Sequence, residues 1–329
     1  MATPLAIALG DPAGIGPEIV AKSWERREAD KLPPFFAVGD CDAIQAVWQG
    51  PVCNIADPAD AAACFAQALP VIRVAGSGNI RPGAPDLDGA RNSLDALELA
   101  LGLTRSGAAS GLVTGPVSKS QLYAIGFDHA GQTEFVAERC GVSHDHVAMM
   151  LVGPSLKTVP VTVHIALRDV FEALTLDRIV AKGRATARGL QRQFGIAQPR
   201  IAVAALNPHA GENGALGREE IEIIVPAIER LREEGIDVTG PHSADGMFHA
   251  RARHRYDAAL CMYHDQALVP LKTLHFDEGV NMTLGLPIVR TSPDYGTAFG
   301  IAGQDLADPG AIIAAIHTAA ASARRIGQA

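Results

Sequence analysis

Three histidines stand at the ends of apolar runs. His264 follows "DAALCMY", His164 closes "KTVPVTVH", and His209 follows "RIAVAALNP". They are 45 and 55 residues apart, so they sit on different elements. Strand ends in layered α/β proteins are where sites are built. Three neutral imidazoles brought together make a divalent-metal centre with a position open for water or substrate. The plainer role for each is a histidine hydrogen-bonded in a core. Spacing alone does not separate the two, because no zinc-type ligand motif is present. The other eight histidines lack this context and read as surface or structural.

A second set follows. Lys272, Asn281 and Arg290 are nine residues apart in turn, in "PLKTLHF", "GVNMTLG" and "PIVRTS". Two cations with an amide between them suit a phosphate or carboxylate; solvated surface charge is the alternative. Asp265 is adjacent to His264, where a carboxylate can orient an imidazole. "GDPAGIGPE" (10–18) lies between a strand and a helix. It is neither a Walker A loop nor G-x-G-x-x-G, though a helix start there can take an anion. "TGPVSKS" (114–120) is similar. "PDYGTAFGIAG" (293–303) is a loop of small residues over which a flat cofactor ring could lie.

These residues need a scaffold of alternating elements. Strands are expected at 5–9, 35–39, 70–74, 111–115, 146–153, 157–165, 200–206, 257–263, 279–285 and 287–292. Helices are expected at 17–29, 86–106, 117–125, 133–140, 177–194, 217–234 and 310–325. Thr175 and Asp177 are the possible caps of the fifth helix, and Pro226 marks a kink or break in the sixth. Strands alternating with helices imply sheets covered on both faces. The runs at 146–153 and 157–165, joined by "PSLK", read as a hairpin, so at least one sheet is mixed.

With 329 residues the chain exceeds what one core usually holds, so two lobes are expected. Hydrophobic residues make up 48% and charged ones 19%, the mix of a well-buried globular protein. The formal charge is −8 and the basic residues are scattered, which argues against a nucleic-acid partner. Five cysteines without a C-x-x-C pair read as reduced thiols in a cytoplasmic protein. The N-terminus lacks the basic region of a signal peptide, and no apolar stretch is long enough for a membrane helix.

Taken together the stretches are more specific. "GDPAGIGPEI", "VTGPVSK", "GQTEF", "LNPHAGENG-x-LG-x-EE", "MYHDQ-x-L-x-P-x-K", "VN-x-TLGLP", "RTS-x-D-x-GTA" and "IAG-x-x-x-AD" occur in the order of the 4-hydroxythreonine-4-phosphate dehydrogenase family. The chain resembles that family from residue 5 to about 325. The resemblance implies an α/β fold with two lobes and mixed sheets, like that of isocitrate and isopropylmalate dehydrogenases. The expected lobes are 1–128 plus 305–329, and 129–304 with the metal and substrate residues and the dimer interface. It implies NAD(P)-dependent oxidation of 4-phosphooxy-L-threonine at its 3-hydroxyl, then decarboxylation to 3-amino-2-oxopropyl phosphate, on the route to pyridoxal and pyridoxine 5'-phosphate.

Carried over by position, His164, His209 and His264 match the ligands of one divalent metal (Zn, Mg or Co) per subunit. His264 is expected from the second subunit of a homodimer with a shared active site. Thr133, Lys272, Asn281 and Arg290 match substrate-binding residues, with Gln132 beside them. Asp294, Gly296, Thr297, Ala298 and Gly303 fall in the region that holds NAD or NADP. Asp245 and Asp265 are candidates for proton handling. Three positions depart from the family pattern: Gln132 and Tyr295 each stand where His is usual, and Gly246 where Thr is usual. They bear on substrate and cofactor preference. The alternatives are a dehydrogenase of a related phosphorylated hydroxy acid, such as threonate 4-phosphate, and a non-catalytic metal- or phosphosugar-binding protein.

Overall fold

The computed structural model describes residues 3–74, 76 and 80–327. The strands, in chain order, are β1 (Leu5–Ala8), β2 (Phe35–Gly39), β3 (Val52–Asn54), β4 (Leu69–Arg73), β5 (Leu112–Thr114) and β6 (Ala148–Val152). Then follow β7 (Lys157–Pro160), β8 (Arg200–Ala204), β9 (Asp237–His242), β10 (Ala258–Cys261), β11 (Val280–Leu284) and β12 (Arg290–Pro293). Two compact units divide the chain. The first runs to Val136 and resumes over Pro287–Arg324; the second is Ala137–Leu286 with the chain end from Arg325.

In the first unit the strand order is β3-β4-β2-β1-β5-β12 and every pair is parallel. Leu5–Ala8 and Phe35–Gly39 are buried throughout, as a parallel sheet covered on both faces requires. Gly10, with φ +79°, makes the turn after β1; a Cβ there would lie 2.2 Å from the Pro116 carbonyl oxygen.

In the second unit the order is β11-β6-β7-β10-β8-β9. The expected hairpin is present: β6 is antiparallel to β7 and to β11, and the other pairs are parallel. The Leu176–Phe194 helix is capped by Thr175, whose hydroxyl accepts from Arg178 N. It packs closely on the sheet: a Cβ on Gly189 would fall 2.8 Å from Leu284 Cδ1.

Four expectations need correction. The second crossing between units falls at 286/287 instead of 304/305, because β12 pairs with β5 and carries Arg290 and the following loop into the first unit. The first crossing is at 136/137 instead of 128/129. The ends of the expected first lobe, 1–2 and 328–329, lie outside the described residues. The helix expected over 217–234 is a π-helical turn at Glu220–Ile224 followed by an α-helix at Val225–Glu233. Pro226, which has no N–H to give, sits in that helix's first turn. The cysteines are not all thiols: Cys53 on β3 and Cys64 form a disulfide, and Cys41, Cys140 and Cys261 are free. Folding brings the first two within 6.6 Å between Cα atoms, although ten residues separate them instead of a C-x-x-C spacing.

Candidate active site

The end of β10 answers for His264. Ala258–Cys261 is wholly buried, and the chain then turns directly into the His264–His275 helix. Gln266 makes the turn rigid. Its Oε1 accepts from Met262 N at 2.7 Å and its Nε2 donates to the Ala205 carbonyl at the end of β8. Thr162, just past β7, donates through its hydroxyl to the Met262 carbonyl at 2.8 Å. These ties bring two elements level and set His164 beside His264, with ring centroids 5.7 Å apart. A cleft of about 250 Å³ opens there, lined by Thr162, His164, Ile165, Tyr263, His264 and Asp265 among others. A larger cleft of about 780 Å³ runs along Arg178, Arg184 and Arg230 and holds none of the expected site residues.

The side chain of Asp265 pairs with His264 Nδ1 at 2.7 Å. A carboxylate on one imidazole nitrogen leaves the other to coordinate, the arrangement seen around metal-ligating histidines. His209 lies elsewhere in the second unit. It is exposed, with Nδ1 3.5 Å from a Glu212 carboxylate oxygen. Asp245 is close enough for the His209 charge to act on it, but the Ser243 hydroxyl, donating at 2.5 Å, does most to hold that carboxyl below the usual range. Among the described residues no three His, Cys, Asp or Glu side chains of the chain gather closely enough to hold a metal ion. The imidazoles of His164 and His264 are donors of the type a divalent metal takes; the chain itself sets these two together and His209 apart, whereas the resemblance put His264 on the second subunit.

Lys272 lies on the helix that His264 begins, and Asn281 on β11. The Asn281 side-chain oxygen is buried and accepts no hydrogen bond. Arg290 opens β12 in the first unit and is 4% exposed. Its guanidinium donates to Thr114 Oγ1 at 2.8 Å and to Thr133 Oγ1 at 3.2 Å. Burial lowers its pKa to about 10, which leaves it charged at neutral pH. Next to Thr133, Gln132 Nε2 donates to the Gly115 carbonyl at 3.1 Å. Arg290, Thr133 and Gln132 are thus one cluster around the end of β5. Sequence reasoning missed Thr114 as its member; the signal was its place at a strand end in "VTGPVSK".

The loop after β12 carries Asp294, Gly296, Thr297, Ala298 and Gly303. It is strapped to the first strand–helix turn: Thr297 O accepts from Ile15 N, and Glu18 accepts from Gly303 N and Ala307 N. Lys22 adds a bond to Ala307 O and an ion pair to Asp305. Sequence reasoning also missed Glu18, a buried carboxylate in the glycine-rich "GDPAGIGPE". The Tyr295 hydroxyl is buried without a hydrogen-bond partner, and burial pushes its pKa up, so the phenol stays neutral. A neutral, uncommitted donor on a loop of small residues fits a nicotinamide cofactor.

The description "Pyridoxal phosphate biosynthetic protein PdxA" matches residues 32–319. The chain belongs to the PdxA family. Among PdxA relatives, the 4-hydroxythreonine-4-phosphate dehydrogenase of Zymomonas mobilis is 56% identical over 97% of this chain and 96% of its own. That of Erythrobacter litoralis is 51% identical over 98% and 97%. The crystal structure of the Klebsiella pneumoniae enzyme of that name superposes with a TM-score of 0.88 at 35% identity, covering 98% of this chain and all of that one. The two-unit α/β fold is the PdxA fold, and membership makes the chain a dehydrogenase.

Proposed function

We propose that this chain is a 4-hydroxythreonine-4-phosphate dehydrogenase of pyridoxal 5'-phosphate biosynthesis. It oxidises the 3-hydroxyl of 4-phosphooxy-L-threonine with NAD or NADP and releases CO2 to give 3-amino-2-oxopropyl phosphate. The near end-to-end similarity to enzymes of that name carries this reading.

His164, His209 and His264 would hold one divalent metal, zinc, magnesium or cobalt. When bound, the metal would supply Lewis acidity at the substrate hydroxyl and at the resulting ketone, and the nicotinamide would supply the hydride acceptor. The chain's own residues do the rest. Asp265 orients the His264 imidazole. Arg290, fixed by Thr114 and Thr133, offers a fork of donors to a substrate anion, with Gln132, Lys272 and Asn281 as further substrate contacts. Asp294, Gly296, Thr297, Ala298 and Gly303 bind the cofactor. Asp245 and Asp265 are the candidates for moving a proton.

The working unit in this reading is a cytoplasmic homodimer with a shared site. Exposed apolar side chains support it: Ile165, Leu167 and Phe171 follow His164, and Val269, Leu274 and Phe276 follow His264. No helix among the described residues is long and apolar enough to cross a membrane.

NADH formation from 4-phosphooxy-L-threonine, with and without a chelator, tests the proposal, and threonate 4-phosphate is the comparison. Chelator-sensitive turnover of the first substrate is the expected result. Turnover of the second alone would move the enzyme to sugar-acid chemistry. Gln132 is the observation that favours that second reading: a neutral amide tied to Gly115 O stands where the family carries His.

A further inference from the structure

His209 begins a turn of the wrong hand. His209, Ala210, Gly211, Glu212 and Asn213 all have φ between 44° and 75° and ψ between 0° and 54°. Four of these five carry a Cβ, and L residues meet their own carbonyls in that region. Such a run persists only where the surroundings over-determine it, and strain of this kind gathers at functional sites.

The turn is closed by Ala215 N and Leu216 N, which donate to the Glu212 and Gly211 carbonyls, and its approach is held by two carboxylates: Glu219 Oε2 accepts from the Asn207 amide at 2.7 Å, and the buried Glu220 makes the rest of the contacts. Glu220 is 3% exposed. Its Oε1 accepts from Leu206 N at 2.9 Å and from Asn207 N at 2.8 Å, and its Oε2 accepts from the Asn207 amide at 3.0 Å. It therefore grips the two residues that lead into the turn. It also lies close against the turn, where glycine leaves room: a Cβ on Gly211 would lie 2.6 Å from Glu220 Oε2 and 3.0 Å from the Gly217 carbonyl oxygen. The nearby Arg218 is engaged elsewhere, with Glu222. Burying a carboxylate is costly unless donors satisfy it, and the donors here are the strand end and loop that carry His209.

We infer that Glu220 is a positioning residue for the metal centre: it holds the left-handed turn that presents the His209 imidazole to a divalent cation. This rests on the reading of His209 as a metal ligand.

The test is cobalt(II) binding to the metal-stripped, full-length protein, followed by the visible absorption of the bound ion, with circular dichroism and sedimentation to confirm fold and assembly. His209→Ala tests the underlying reading; wild-type cobalt affinity in that variant removes the metal role and this inference with it. If His209→Ala loses the site, Glu220→Ala is expected to bind cobalt about 10- to 100-fold more weakly with an altered spectrum. Glu220→Gln keeps one accepting oxygen but turns an NH2 toward the Asn207 amide, so its loss should be smaller. Glu220→Asp, which withdraws the carboxylate by one methylene, should resemble Glu220→Ala and decides the matter with Glu220→Gln if Glu220→Ala does not fold. Wild-type cobalt affinity and spectrum in a folded Glu220→Ala, or in both other variants, would overturn the assignment.

Discussion

At the scale of single residues, two buried charged groups make opposite demands on the fold. Arg290 is buried yet stays ionised, its guanidinium fixed by two threonine hydroxyls. Lysine offers a point charge without the planar fork. Losing a charge-assisted bond costs about 1.5–3 kcal/mol, so Arg290→Lys should lower kcat/KM roughly 10- to 100-fold; steady-state kinetics at saturating cofactor would show it. Asp11 is 1% exposed, and burial raises its pKa to about 6 from 3.8, with Asp86 adding to the rise and the Ala13 N–H opposing it. The folded state therefore holds this proton more tightly than the unfolded chain. The stability that follows is fully present below pH 3.8 and is lost as pH rises through 6. Asp11→Asn keeps the acceptor for Ala13 and should stabilise the protein at pH 7.5, by up to about 3 kcal/mol, with no gain near pH 4. Denaturation midpoints at both pH values test this; an equal gain at each would refute it. Arg290 was legible in the sequence because it follows an apolar run. Glu220 was not, since an acidic residue early in a helix reads as dipole compensation.

At the scale of elements, the long apolar runs were legible, and the misses have two causes. β3 and β9 were not expected, and both are edge strands of their units. Edge strands are short or polar and tolerate proline, as β9 does at Pro241. The helix from His264 was also missed: no helix was expected between 234 and 310, and Pro270 lies inside this one. The sequence reading placed His264 where a strand ends, as it does, and was silent on the helix that begins there. Thr175 was one of two named caps, and the structure selects it over Asp177. Thr175→Ala should cost about 1 kcal/mol, read as a lower urea midpoint with an unchanged m-value. A change in m would mean that more than a cap had been lost.

At the scale of the molecule, length and composition foretold two α/β units but not their borders, since β12 joins the first sheet only through a long-range pairing. The disulfide was invisible for the same reason: sequence spacing does not report which cysteines meet. Under denaturing conditions the unreduced chain should titrate three thiols and the reduced chain five; five without reductant would mean that the bridge is absent. The exposed apolar set on the second unit bears on assembly. Leu167 is 65% exposed and Phe171 52%, so Leu167→Asp with Phe171→Glu should give monomers in sedimentation and lose turnover together. Monomers that retain full activity would exclude a shared site. The connectivity has a consequence for synthesis. Most of the second unit, Ala137–Leu286, is inserted between β5 and β12, so β5 leaves the ribosome long before its partner is made. Leu112 and Val113, both buried in the finished protein, then stand on an open strand edge, a ready template for pairing with another chain. Until the last stretch arrives that edge stays unpaired, and a chain truncated after Leu286 is expected to aggregate instead of yielding half an enzyme.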